Sequence, residues 1–119
     1  MNLQENMRIV QELVPGKQVS LGHVIANPDP VLYQKLGLDP KIDYNKAAIG
    51  IVTVSPAETA IIAADVATKA SGAEIGFVDR FSGTLILTGT VSEVEYAVRA
   101  LLDYTRDVLG FTVCELTKT

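Results

Sequence analysis

Few residues in this chain could do chemistry, and their spacing argues against it. His23 is the only histidine and Cys114 the only cysteine. One chain therefore cannot assemble a histidine acid/base pair, a multi-histidine metal centre, a disulfide or a cysteine-rich zinc site. His23 lies in QVSLGHVIA (18–26), where alternation groups it with Val19, Leu21 and Ile25 on one strand face. That grouping predicts a structural histidine, hydrogen-bonded at the edge of the core. Cys114 sits in a short apolar run without a cationic neighbour, the setting of a buried and inert thiol. Glu93/Glu95 and Asp103/Asp107 read as a helix start and a solvated helix face. PGKQVS (15–20) lacks the first glycine and the Lys-Ser/Thr pair of a phosphate-binding loop, and it precedes a strand. What remains is Asp79-Arg80-Phe81-Ser82-Gly83, which places both charge signs and an aromatic ring at a hairpin tip. Taken alone it is a solvated turn, and the residues predict no catalytic, metal or cofactor site.

Composition sets the frame around these residues. The chain has 119 residues, 48% hydrophobic and 20% charged, with a net charge of −4. That is ordinary globular composition on a length that suits one domain. The acidic balance and the lack of a Lys/Arg cluster argue against nucleic acid. With no Trp, four Tyr and three Phe, there is little to build an aromatic ligand cleft. The opening MNLQENMRIVQEL has no continuous apolar core of a secretory signal, and the longest apolar stretch, Ala47–Val52, is far short of a membrane span. The expectation is a soluble cytoplasmic protein.

Arg8–Val14 (RIVQELV) leans toward a strand and stops at Pro15-Gly16. After strand 18–26, Asp29 as N-cap and Pro30 at the first helical position predict a short helix ending at Gly37. Residues 38–46 form a polar connector. Ala47–Val54 predicts a buried strand, followed by a capping box at Ser55-Pro56-Ala57-Glu58 and a helix over 56–70 rich in small residues. Asp65 and Lys69 make an i,i+4 pair. Strands 74–79 and 83–89 form the hairpin. A second capping box at Ser92–Glu95 opens a helix with Val94, Ala97, Val98, Leu101, Leu102, Thr105 and Val108 on one side, and FTVCELTKT closes the chain as a strand. The expected order, β-β-α-β-α-β-β-α-β, gives an α+β sandwich with helices on one face of the sheet.

IVQELVPGKQVSLGHVIANP, AAIGIVTVSPAETAIIAADVATKA and EIGFVDRFSGTLILTGTVSEVEYAV together resemble the circularly permuted shell proteins of bacterial microcompartments, the EutS/PduU/CutR group. The resemblance runs from about Arg8 to Thr119. It implies a permuted BMC-domain α/β sandwich of the ferredoxin-like type, one domain over 1–119, with a permuted strand and helix at 18–37 and a core at 47–119. It also implies a homohexamer that tiles with other shell proteins into a coat in the cytoplasm. That coat restricts metabolite diffusion in choline, ethanolamine or propanediol utilisation. No enzyme activity, cofactor, metal, nucleic acid or membrane is implied; enzyme encapsulation peptides are further partners.

Residue by residue, the resemblance assigns Arg8, Ile9, Val10, Gln11, Glu12, Leu13 and Val14 to a six-stranded parallel β-barrel capping the pore. It assigns Asp79, Arg80, Phe81, Ser82 and Gly83 to the pore or axis region, and Lys69, Asn27 and Pro28 to the edge between hexamers. A lone seven-residue strand is unstable by itself, so closing six copies in a ring accounts for Arg8–Val14 on physical grounds too. The long polar connector 38–46 makes a bent, swapped or screw-like ring an alternative to a flat one. Two other classes stay open on the residues: a ring-forming regulator holding a small ligand between subunits, and an enzyme sharing His23 with Asp79 or Arg80.

Overall fold

The computed structural model describes residues 17–42 and 47–119; the expected barrel strand 8–14 and part of the connector lie outside them. The elements run β1 (Gln18–Ile25), α1 (Val31–Lys35), β2 (Ala48–Ser55), α2 (Thr59–Ala70), β3 (Glu74–Asp79), β4 (Thr84–Gly89), α3 (Val91–Asp107), β5 (Thr112–Val113) and β6 (Thr117–Lys118). The sheet has the order β3-β4-β2-β1-β5, with β6 also pairing β1. β1–β2, β2–β4 and β3–β4 are antiparallel, while β5 and β6 lie parallel to β1.

Alternation along β2 divides the interior in two. Ala48, Val52 and Val54 join Val24, Leu85, Leu87 and the inner faces of α2 and α3 in the main core. Ile49 and Ile86 point the other way, where Tyr33 of α1 and Leu38 cover them. The helices thus do not share one face, as the sequence reading had them: α2 and α3 cover one, and α1 part of the other. Small residues allow the close approach of the main layer. Ala60, Ala63, Ala64 and Ala67 are buried on α2, and Gly50 of β2 lies directly under Val94 of α3.

α1 is short but well ended. The Asp29 carboxylate accepts the Val31 N–H (3.0 Å), and at the far end Gly37 adopts φ +72°. There the Gly37 N–H donates to Gln34 O (3.1 Å) and the Leu38 N–H to Tyr33 O (3.1 Å), the paired bonds of a Schellman ending. The Tyr33 hydroxyl donates to the Ala47 carbonyl (3.0 Å), tying α1 to the start of β2.

Four expectations need correction. Strict alternation in β1 fails at a bulge between Val19 and Leu21, where Ser20 is the extra residue and its hydroxyl meets that of Thr53 at 2.8 Å. The bulge shifts the phase, so Val19 joins Gly22 and Val24 on the side of α2 and α3, while Ile25 packs with Ile49 on the other. Ser55 caps nothing: it remains in β2 opposite Gln18, the Ser55-Pro56 peptide is cis, and i→i−3 bonds from Thr59, Ala60 and Ile61 start the helix three residues later. The second capping box is Thr90/Glu93 rather than Ser92/Glu95. Gly89, at φ +154°, turns the chain out of β4, so that Thr90 meets the Glu93 N–H (3.2 Å) and Glu93 the Thr90 N–H (3.0 Å). Finally Val108, beyond the last turn of α3, is 63% exposed.

Candidate functional site

The hairpin loop is fixed by its own backbone. The Asp79 carboxylate accepts the Phe81 N–H (2.9 Å), and the Gly83 N–H donates to the Asp79 carbonyl (2.9 Å). Hydrogen bonding to the carboxylate, from the Phe81 N–H first and from Ser82 after it, holds the Asp79 carboxyl below the usual aspartate range. The Ser82 hydroxyl donates to that of Thr84 (3.2 Å). The Val54 N–H donates to the Gly83 carbonyl (2.9 Å), which pins the loop to the end of β2. Gly83 has φ +77°, and a side chain there would collide with the Val54 carbonyl and press on Ala57. The rigid frame presents Phe81, 82% exposed, with the Arg80 guanidinium 5.0 Å from its ring centre. Such a knob offers a cation, an anion and a ring to a neighbour.

The edge residues stand apart from it. Lys69 pairs with Asp65 at 2.9 Å with its side chain 76% exposed, and that hydrogen bond raises its pKa. Asn27 is exposed just after β1, whereas Pro28 is buried behind it. No hydrogen bond or ion pair joins Lys69 to Asn27 or the loop.

His23 does what its type predicted. Nδ1 lies 2.6 Å from the Thr117 hydroxyl and Nε2 2.9 Å from the Thr119 hydroxyl, so both ring nitrogens are used in holding the last strand. Neither Asp79 nor Arg80 partners it. Burial pushes the Cys114 thiol up, away from reactivity. In the groove between α3 and residues 113–116, Arg99 is paired with Glu95 (3.1 Å) and Arg106 with Asp103 (3.0 Å) and Asp107 (2.8 Å). Both guanidiniums thus have partners. Among the described residues no three His, Cys, Asp or Glu side chains are grouped to hold a metal, and no helix is long and apolar enough to cross a membrane.

Sequence reasoning missed the edge of the sheet. Among the described residues β3 pairs on one side only, and Ile75, Phe77 and Val78 are 45%, 45% and 40% exposed. A signal was present: an apolar run without clean alternation, interrupted at Gly76 where the register with β4 shifts. An edge strand carrying three large apolar side chains is a surface made for covering.

Comparison with known proteins agrees with this geometry. The BMC domain model matches residues 48–116. The chain is 50% identical to the bacterial microcompartment shell protein PduU of Salmonella typhimurium, over 94% of this chain and 93% of that protein. It is also 50% identical to the shell protein EutS of the same organism, over 94% and 96%. Among solved structures, a CutR flat hexamer superposes with a TM-score of 0.81 at 46% identity, covering 92% of this chain and 96% of that one. A CutR screw (0.78, 44% identity) and a domain-swapped CutR dimer (0.61, 44%) each cover 87% of this chain and the whole of theirs. The chain belongs to the BMC-domain family, that of these bacterial microcompartment shell proteins.

Proposed function

We propose that this chain is a structural shell protein whose work is tiling: six copies close into a ring, and rings join other shell proteins in a coat within the cytoplasm that limits metabolite diffusion. The observation that carries the reading is the β3 edge, whose outer backbone is unpaired among the described residues and whose exposed Ile75, Phe77 and Val78 call for a neighbouring chain. Identity to PduU and EutS over nearly the whole chain supports it.

Within this reading Asp79–Gly83 faces the axis region and Arg8–Val14 caps it, with enzyme encapsulation peptides as partners of the cap. Lys69 and Asn27 meet the next ring; Pro28, the third residue expected at that edge, is buried. The setting is choline, ethanolamine or propanediol utilisation, and the role is not that of an enzyme. The screw and domain-swapped forms of CutR favour a second reading of the ring, bent, swapped or open rather than flat, through connector 38–46, while its flat hexamer favours the first.

Mass photometry with negative-stain microscopy, on the full chain and on a deletion of residues 1–14, tests the proposal. The expected result is six copies in both, of a 12.7 kDa chain before the deletion and of a correspondingly lighter one after it, as rings or sheets that are uncapped after the deletion. A stable monomer or dimer in both would overturn it. A ring that never tiles and is thermally stabilised by a small ligand would favour the regulator instead.

A further inference from the structure

The sheet ends in two unlike sides. β3 closes one, and among the described residues its outer backbone is unpaired. The other lies beyond β1, where α3 and residues 113–116 enclose a groove of about 390 Å³. Half-buried Val113, Cys114 and Leu116 give the groove an apolar floor, and exposed Arg99, Arg106 and Glu115 stand at its rim. The two sides share the helix face of the sheet. Ile75 and Val78 pair with Leu87 and Leu85, which pack under α2 and α3. Cys114 faces the same core, its Sγ 3.6 Å from where a Cβ on Gly22 would lie, beside Val98 and Leu102. The two sides are also level along the strands. Val78 pairs with Leu85, Leu85 with Val52 and Val52 with Gly22, so one cross-strand row runs from the β3 edge to the groove.

We infer that these two sides dock on each other between copies: Val78 and Ile75 of one copy enter the groove between α3 and residues 113–116 of the next. The docking rests on the ring proposed above and names the surface that receives the β3 edge. A ring that closes head to tail needs two different, complementary patches on one chain. Turning copies within one plane keeps their helix layers level, and the shared row then sets Val78 of one copy beside Cys114 of its neighbour. The chemistry of the two sides matches. Exposed apolar side chains of β3 meet an apolar floor, while the outer backbone groups of β3 meet the rim. Arg99 gives one hydrogen bond to Glu95 and keeps further N–H donors for carbonyls. The Glu115 carboxylate has no partner among the described residues and can accept from backbone N–H groups. Pairing β3 with β3 would bury the same side chains, yet it would leave the groove open and stop at two copies.

Val78→Cys supplies the test, because the groove already holds the one cysteine of the chain. Within a copy the two residues stand four strand intervals apart, roughly 19 Å, whereas a disulfide needs Cα atoms within about 7 Å. A bond from residue 78 to residue 114 therefore joins two copies. Oxidation with diamide should give a covalent ladder reaching six copies, with a digest that joins residue 78 to residue 114. Phe81→Cys, more exposed but on the hairpin tip, should form no bond to Cys114; an equal yield would mean random collision and overturn the inference. Rings in mass photometry without the 78–114 bond, or with a 78–78 bond alone, overturn the inference and leave the ring standing. Single chains overturn the ring as well. The unmodified chain gives a second measurement. Its thiol should react with N-ethylmaleimide roughly tenfold more slowly in rings than in single chains of Phe77→Lys, because the neighbour covers the groove; equal rates overturn the inference.

Discussion

Val94 sits on Gly50 so closely that a methyl group at residue 50 would lie 2.7 Å from Val94 Cγ1. This contact sets how deep α3 rides on β2. Gly50→Ala should therefore destabilise the fold by about 1–3 kcal/mol through overpacking. The Gly50→Ala, Val94→Ala double variant should cost less than the sum of its parts by at least ~0.5 kcal/mol. Denaturant melts of the four chains of the cycle decide it; strict additivity would mean that the strand shifts instead.

Thr90→Ala should cost about 1 kcal/mol, as loss of an N-cap does. Ser92→Ala, inside the first turn, should stay within about 0.5 kcal/mol. The reverse ranking in the same melts would restore the Ser92 box.

The Thr90 N–H and hydroxyl hold the Glu93 carboxyl below the ordinary glutamate range. A carboxyl depressed in the folded state contributes stability above its unfolded pKa, and that contribution is lost as pH falls through the folded value. Stability should thus drop on acidification below about pH 4, less steeply in Glu93→Gln. Parallel slopes for the two chains between pH 5 and pH 2 would refute the assignment.

Phe77→Lys places a charge on the open β3 edge. The half-exposed position should tolerate it in the isolated fold, leaving the circular dichroism melt nearly unchanged, while mass photometry should report a shift from rings to single chains. Rings of unaltered stability would show that neighbours meet elsewhere.

Phe81→Ala and Lys69→Ala separate two expected surfaces. Both side chains are exposed, so neither change should alter the melt measurably. Phe81→Ala should leave tiling intact and change only the density near the ring axis. Lys69→Ala should leave rings intact and stop sheets from forming on a microscopy grid. Exchange of these phenotypes would reverse the two assignments.

The fold was legible where one residue type has one physical use. Asp29, Pro30 and Gly37 bracket α1 because a carboxylate cap, a missing N–H and a positive φ each suit one place in a helix. The inner face of α3 was legible from its period, apart from Val108, which lies beyond the last turn. Ser55 and Ser92 misled because a serine or threonine three residues before a glutamate is needed for a capping box but does not create one; strand pairing claimed the first and Thr90 pre-empted the second. The β1 bulge was invisible, since one extra residue leaves no mark in composition yet reverses a face. The loop at 79–83 could be located, but its rigidity depends on Val54, distant in sequence. The β3 edge was missed because exposure belongs to the assembled sheet.

The hydrogen bond from Tyr33 to the Ala47 carbonyl leaves a last consequence. It joins residues on either side of the connector, so both anchor points stay together whatever links them. Lengthening a link between fixed points is inexpensive, about 0.6 kcal/mol for each doubling. The span between Ile42 and Ala47 is accordingly a port where lineages, or an engineer, could splice foreign peptide into the coat without disturbing the sheet beneath.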